Sequence, residues 1–283
     1  MVRNSAVPRY AEGAHHSLRR AYPGASITFR HGLVEEALLG LDELARAADE
    51  LAYELVERRV HNARNGEAFT LIGHGEATDQ LTAHGPADQW IMLRFIERLP
   101  RYRALLDSLI GELGTAISHT TGAPSAVKGF VFVSSPHTHT PFHFDAEFNI
   151  LFQIAGTKTF ATYPPRPPFL SLAAREAYYT SGENMLGWQE SYEHQATLNR
   201  LAPGDALFVP YGAPHWVKVG AEPSISLSLT WQNPWSEAMA DALALNPLMR
   251  RLGLPQYDPI LATTPALRWR ALVGKLAHKA GMV

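Results

Sequence analysis

Between residues 126 and 231 the chain is cut into short β-prone runs separated by turn-forming residues, and this confines the fold more than anything else in it. The runs 126–134, 140–148, 150–163, 194–201, 206–209, 216–219 and 224–231 read as short strands. In the last of them Ser224, Ser226 and Ser228 alternate with Ile225, Leu227 and Leu229. Successive strand residues point to opposite sides, so that strand has one polar and one apolar face. Gly156-Thr157 and Pro203-Gly204-Asp205 stand where turns are needed.

The flanks read differently. Residues 1–30 are irregular, with Pro8, Pro23 and Gly24 as breakers and a short apolar run at 27–29. Leu38, Leu41, Leu44, Ala45, Ala48, Leu51, Ala52 and Leu55 then recur at helical steps, opposite Glu43, Arg46, Asp49, Glu50 and Arg58. Residues 62–88 look like loop, and a second helical block is split by Pro100 into 88–98, capped by Asp88, and 101–119. Residues 164–193 interrupt the strands with a proline-rich start and with Tyr178, Tyr179, Trp188 and Tyr192. A connection of that length is a substrate lid or a loop over its own hydrophobic cluster. Helical signals return at 235–245 and 265–279. The expected fold class is mainly β with flanking helices. One domain over 1–283 is expected, with a helical part at 1–125, a β core at 126–232 and C-terminal helices at 233–283.

Composition removes several function classes. Apolar residues make up 46% of the 283 residues, enough for a sizeable core. A net charge of -2 gives no general pull toward nucleic acid or an anionic membrane, and neither is expected as a partner. The absence of cysteine excludes disulfides, thiolate metal sites and a cysteine nucleophile. No apolar run approaches the ~18 residues of a membrane span. The first residues, with Arg3, Arg9 and His15-His16, lack the apolar stretch of a secretion signal, so a cytoplasmic location is expected.

Within the β region, His143 and Asp145 stand two apart on one run, so an imidazole and a carboxylate can aim at one point. His215, in Pro210-Tyr211-Gly212-Ala213-Pro214-His215, is the candidate third ligand. Two histidines and a carboxylate on one face hold Fe(II) and leave positions open for a co-substrate and O2. Alone, His-x-Asp is a weak signal, since such pairs also cap turns. His137 and His139 offer an alternative all-histidine set, or else line the entrance or are solvated. Lys158 is the lone cation in the run 154–160. A buried ammonium is costly without an anionic partner, although an edge-strand lysine that deters aggregation has the same look. Asn149 reads equally as a site residue and as a structural hydrogen-bonder. Gly73-His74-Gly75 and His84 lack the context of a nucleotide site, and Ser134-Ser135 has no nucleophile-elbow setting.

Two spaced patterns carry a family resemblance. Gly204, Pro210, Gly212 and His215 resemble the second cupin motif, with Val219 in place of its terminal Asn. His143, Asp145, Asn149 and Gly156 resemble the first, with Asp145 for its second His and Asn149 for its Glu. The His-x-Asp…His set resembles the JmjC and cupin-like Fe(II)/2-oxoglutarate-dependent oxygenases, and the asparaginyl hydroxylases among them in particular. The resemblance covers roughly 126–232. It implies a double-stranded β-helix (cupin or jelly-roll) core with Fe(II) on His143, Asp145 and His215. It also implies Thr140 and Lys158 on the far carboxylate of 2-oxoglutarate, O2 as co-substrate, and Asn149 as an active-site residue. Thr230 stands where the asparaginyl hydroxylase carries a second Asn. The implied activity is hydroxylation of a protein or peptide side chain or of a small molecule. The alternative is a non-catalytic cupin-like sensor or regulator that binds a metal and a small acid; a metal-dependent isomerase or cofactor-free dioxygenase is a third reading. The resemblance further implies a homodimer through the C-terminal helices, against packing of those helices on their own barrel.

Overall fold

A computed structural model describes residues 9–75, 77, 81, 89–259 and 264–279. Its strands are β1 Ile27–Arg30, β2 Val56–Val60, β3 Leu71–His74, β4 Gln89–Arg94, β5 Ser125–Ser134, β6 His139–His143, β7 Phe148–Ala155, β8 Lys158–Thr162, β9 Thr197–Leu201, β10 Asp205–Val209, β11 His215–Val219 and β12 Ser224–Gln232. Its α-helices are α1 Ala14–Ala21, α2 Leu41–Glu50, α3 Pro100–Thr121, α4 Leu172–Ser181, α5 Pro234–Ala244, α6 Asn246–Arg251 and α7 Thr264–Lys279. The strands form two antiparallel sheets, one in the order β1-β10-β7-β12-β5-β4-β2-β3 and one in the order β6-β11-β8-β9. No helix among the described residues is long and apolar enough to cross a membrane.

Period-two alternation sorts the large sheet's side chains. On β12, Ile225, Leu227, Leu229 and Trp231 enter the main core, while Ser228 and Thr230 line a cavity on the other side. On β7, Phe148, Ile150, Phe152 and Ile154 join that core, and Asn149 and Leu151 face the cavity. The main core lies between this sheet and the N-terminal helices, whose Leu18, Leu44, Leu106, Leu109 and Leu113 are fully buried in it. Helix α3 comes close because β5 has no side chain at Gly129, where a Cβ would stand 2.7 Å from Leu106 and 2.8 Å from Ile96. A smaller cluster of Leu151, Phe160, Leu201, Leu207, Val209 and Ala213 joins residues of both sheets. It plugs the space at that point and leaves the cavity beside it.

Four expectations for the N-terminal part fail. The stretch 88–98 is not a helix: Gln89–Arg94 is a strand paired with both β2 and β5. Trp90, Met92 and Arg94 face the cavity while Ile91 and Leu93 enter the core, so the strand is apolar on both faces and its alternation is hidden. Asp88, read as a cap, and His84 lie outside the described residues. The helix of 38–58 ends at Glu50, and Val56–Val60 is a strand that sends Glu57 and Arg59 to the cavity. Two charges two residues apart fit a strand face rather than a helix stripe. Residues 71–74, inside the supposed loop, form β3, and residues 14–21, read as irregular, form α1. The part at 1–125 thus supplies strands as well as helices. The run 140–148 breaks after His143, and 150–163 turns at Gly156 into the hairpin of β7 and β8.

Candidate functional site

His143 ends β6 and His215 begins β11, and the two are direct cross-strand partners. This register brings their rings to 4.1 Å between centroids. His143 Nδ1–H donates to the Pro141 carbonyl at 2.7 Å, and His215 Nδ1–H donates to the Ala213 carbonyl at 2.9 Å. Each bond fixes the tautomer and leaves Nε2 with its lone pair free. Asp145 follows β6, and its Oδ2 lies 4.0 Å from His143 Nε2 and 3.7 Å from His215 Nε2. One ligand atom from each of the three falls within 4.8 Å of the others. The Asp145 carbonyl accepts from Gly212 N–H at 3.0 Å, and its carboxylate from Asn184 Nδ2 at 3.5 Å.

Electrostatics favours the ligand forms of the histidines. Burial lowers the His143 imidazole to about 4. Burial and then the neighbouring His143 lower His215 to about 4. Both rings are therefore neutral at pH 7. Removal from water raises the Asp145 carboxyl, and the His215 ring offsets this in part. The Asp145 side chain is 41% exposed, and it lines the cavity. Two neutral imidazoles and a carboxylate that no lysine or arginine among the described residues contacts make a donor set that suits a divalent ion.

The cavity above the three groups has a volume of about 370 Å³ and draws on both sheets. Lys158, the first residue of β8, enters it 6% exposed. Its Nζ donates to Ser226 Oγ at 2.6 Å and lies 5.6 Å from the Phe132 ring. It has no acidic partner among the described residues, and burial lowers it to about 7. Lys158 is paired on both sides, with β11 and β9, so it is not an edge-strand charge. Thr140 on β6 lines the same cavity. Asn149 Oδ1 accepts from Ser228 Oγ at 2.7 Å, and across the strands Asn149 pairs with Thr230. The buried Thr230 hydroxyl has no hydrogen-bond partner among the described residues. An orphan hydroxyl and an uncompensated ammonium in one cavity are what a polar ligand with an anionic end would satisfy.

Other residues go elsewhere. His137 is exposed and does not line the cavity. His139 does not line it either: Nδ1 donates to the Ala63 carbonyl at 2.6 Å and the ring packs 5.6 Å from Trp216. Both stand apart from His143, Asp145 and His215. The 164–193 segment divides its roles. Trp188 and Tyr192 pack with Phe142 and Tyr163 on the outer side of the small sheet, whereas Tyr178 and Asn184 reach the cavity. Asn184 and Leu186 hydrogen-bond to β6 and its end through Phe144 and Phe142. Sequence reasoning missed Glu57, Arg59, Arg94 and Lys128, which line the cavity from strands β2, β4 and β5. Charges two apart at 57 and 59 were the available signal.

No family model and no curated protein matches the chain. Solved structures do. An X-ray structure of YcfD from Escherichia coli aligns over 95% of this chain and 68% of that one, with a TM-score of 0.55 and 17% identity. A structure of YcfD described as a ribosomal oxygenase in complex with cobalt and 2-oxoglutarate covers 95% and 67%, with a TM-score of 0.51 and 17% identity. At this identity the likeness is one of fold.

Proposed function

We propose that the cavity is the active site of an Fe(II)- and 2-oxoglutarate-dependent oxygenase of the JmjC and cupin-like type, built on a double-stranded β-helix. His143, Asp145 and His215 hold the metal, Lys158 with Thr140 holds the far carboxylate of the co-substrate, and Asn149 contributes a further polar contact. The observation that carries the reading is one cavity holding both the three-donor cluster and a buried ammonium with no acidic partner among the described residues. The likeness in fold to YcfD, which has been solved with cobalt and 2-oxoglutarate, supports it.

When bound, Fe(II) and 2-oxoglutarate supply the oxidative chemistry: with O2 they give succinate, CO2 and an oxidised C–H bond in the substrate. The chain's own groups bind and orient. The Pro141 and Ala213 carbonyls lock the imidazoles with Nε2 inward. Asp145 contributes one negative charge and leaves part of the metal's surface open. Ser226 holds the Lys158 ammonium in place before any dicarboxylate arrives. Phe69, 4.9 Å from the His143 ring, and Phe160, stacked 4.8 Å from His215, shield the site from water. The outcome is hydroxylation of a protein or peptide side chain or of a small molecule, and the chain works as a homodimer through its C-terminal helices.

Succinate release from 2-oxoglutarate with Fe(II) and ascorbate tests the reading. Turnover is expected in the wild type, with loss of at least about a hundredfold in His143→Ala and in Asp145→Ala. Iron bound without any turnover, coupled or uncoupled, would leave a binding protein instead.

A further inference from the structure

Away from the donor cluster and Lys158, the same cavity holds a second set of charges. Glu57 and Arg59 on β2, Arg94 at the end of β4, Lys128 on β5 and Glu147 before β7 all line it. Most are spent on one another. Glu57 Oε2 accepts from Arg59 Nε at 2.8 Å and Nη2 at 2.5 Å, and Oε1 accepts from Arg94 Nη1 at 2.5 Å. The third nitrogen of Arg59 donates to the Phe69 carbonyl at 3.3 Å. Glu147 accepts from Lys128 Nζ at 2.5 Å. Arg94 differs: only Nη1 is engaged among the described residues, and its side chain is 35% exposed. Three cations face two anions, so one positive charge is in surplus, and among the described residues Arg94 keeps two of its three nitrogens, Nε and Nη2, without a partner, whereas the single Lys128 nitrogen is held by Glu147.

The next residue shapes this corner. Phe95 has φ 53 and ψ 46, a left-handed conformation that a bulky side chain rarely adopts. Such strain persists only where the surroundings enforce it, and it clusters at ligand sites. The turn sets the Phe95 ring 5.1 Å from the Arg94 guanidinium and 5.4 Å from the Phe130 ring. Both rings line the cavity. Together they form an apolar wall beside a guanidinium with free N–H groups.

We propose that this corner is the substrate subsite, and that it takes a substrate bearing one carboxylate next to a flat apolar group. The carboxylate accepts from the free nitrogens of Arg94, and the apolar group lies against Phe95 and Phe130. The idea rests on the oxygenase reading for what happens next, but not for binding. A cationic substrate group would meet the Arg94 charge with Glu57 already paired, so the site selects against it.

Calorimetry on the full chain decides this, with phenylacetate, 2-phenylacetamide and phenethylammonium as probes. One set uses protein loaded with Mn(II) and saturating 2-oxoglutarate. A second uses metal-free Lys158→Met, in which the co-substrate pocket cannot capture the acid. Phenylacetate is expected to bind about tenfold or more tightly than the amide, and phenethylammonium not at all. Arg94→Gln erases the acid-over-amide preference and leaves 2-oxoglutarate affinity within about twofold, because Lys158 is untouched. Arg94→Lys keeps a cation for Glu57 but lacks the planar fork, and lowers the preference without erasing it. A capped Ala-Phe-Asp-Ala peptide and its Asn counterpart form a parallel arm. Preference there assigns the carboxylate to a polypeptide side chain, and preference for phenylacetate assigns it to a free small acid. Equal binding of acid and amide, stronger binding of the amine, a preference that survives Arg94→Gln, or no acid binding below about 10 mM in either arm overturns the proposal. Failure of 2-oxoglutarate to bind overturns the oxygenase reading instead, and the Lys158→Met set still decides the subsite.

Discussion

Lys158 and His31 show how single buried groups tie this fold to pH. Lys158 lies at about 7 against an ordinary 10.5, lowered by burial. Between those values the unfolded chain carries a proton that the folded one lacks, so the stability this group allows falls as pH drops from about 10 to about 7, and is level below that. Lys158→Met should stabilise the protein at pH 7 by a few kcal/mol, read from urea denaturation. It should also weaken 2-oxoglutarate binding by about a hundredfold or more, because the dianion loses the only buried cation that lines the cavity among the described residues. In the wild type, binding should take up a proton above pH 7, and affinity should fall as pH rises. Calorimetry in two buffers of different ionisation enthalpy checks this, and equal apparent enthalpies would refute it. His31 acts in the same direction at lower pH. It is buried, with Nε2–H donating to the Gln153 carbonyl at 3.1 Å and Nδ1 accepting from Leu33 N–H at 3.0 Å. Burial lowers it to about 4. Its contribution is present above pH 6.5 and is lost as pH falls toward 4, amounting to roughly 3 kcal/mol. His31→Asn keeps an acceptor for Leu33 but cannot protonate. Its stability should therefore fall less than that of the wild type between pH 7 and pH 4, by about that amount.

At the scale of elements, the hairpin between β7 and β8 places Lys158, and its turn depends on Gly156. This residue has φ +65, and a Cβ on it would stand 2.2 Å from the Pro223 carbonyl oxygen. Gly182, which ends α4 with φ +75, has nothing within 4 Å of that position. Gly156→Ala should therefore cost well over 2 kcal/mol, and Gly182→Ala only about 1 kcal/mol for the left-handed backbone alone. Equal costs in urea denaturation would mean that the turn relaxes freely. Gly156 was legible in the sequence as a turn residue, whereas the register that brings His143 opposite His215 came from the structure. The strands β2 and β4 were not legible. Ile91 and Leu93 face one core while Trp90 and Met92 face the cavity, and an apolar run buried on both sides has no period to read. The part of the cavity wall that carries Arg94 was therefore invisible until the sheet order was known. Asn184 was invisible for a different reason: it reaches Asp145 only because residues 184–186 pair beside β6, and no local pattern encodes that pairing.

At the scale of the molecule, the C-terminal helices pose the question of what covers them. Helix α7 lays Leu267, Ala271 and Ala277 inward. It meets α5 closely at Gly274, where a Cβ would stand 1.9 Å from the Asp241 carbonyl oxygen. That contact satisfies one face and shows that the helix does pack on its own chain. The opposite face carries Trp269, Leu272 and Leu276 at 66%, 54% and 57% exposure. Steps of three and four residues put them on one stripe. A row of large apolar side chains left in water is costly, and such a stripe marks a surface that pairs. A two-fold arrangement is the commonest way to cover it, since the same stripe then serves both copies. Light scattering on the full chain should give a dimer. The double variant Trp269→Glu, Leu272→Lys should give a monomer with unchanged helical content and uncoupled 2-oxoglutarate turnover within about twofold, because neither Trp269 nor Leu272 lines the cavity. A wild-type monomer at micromolar concentration would refute the pairing. A double variant that loses turnover together with the dimer would mean that the second copy holds the C-terminal helices, and through the salt bridge from Arg250 to Glu176 on α4 the 164–193 segment, in place over the cavity.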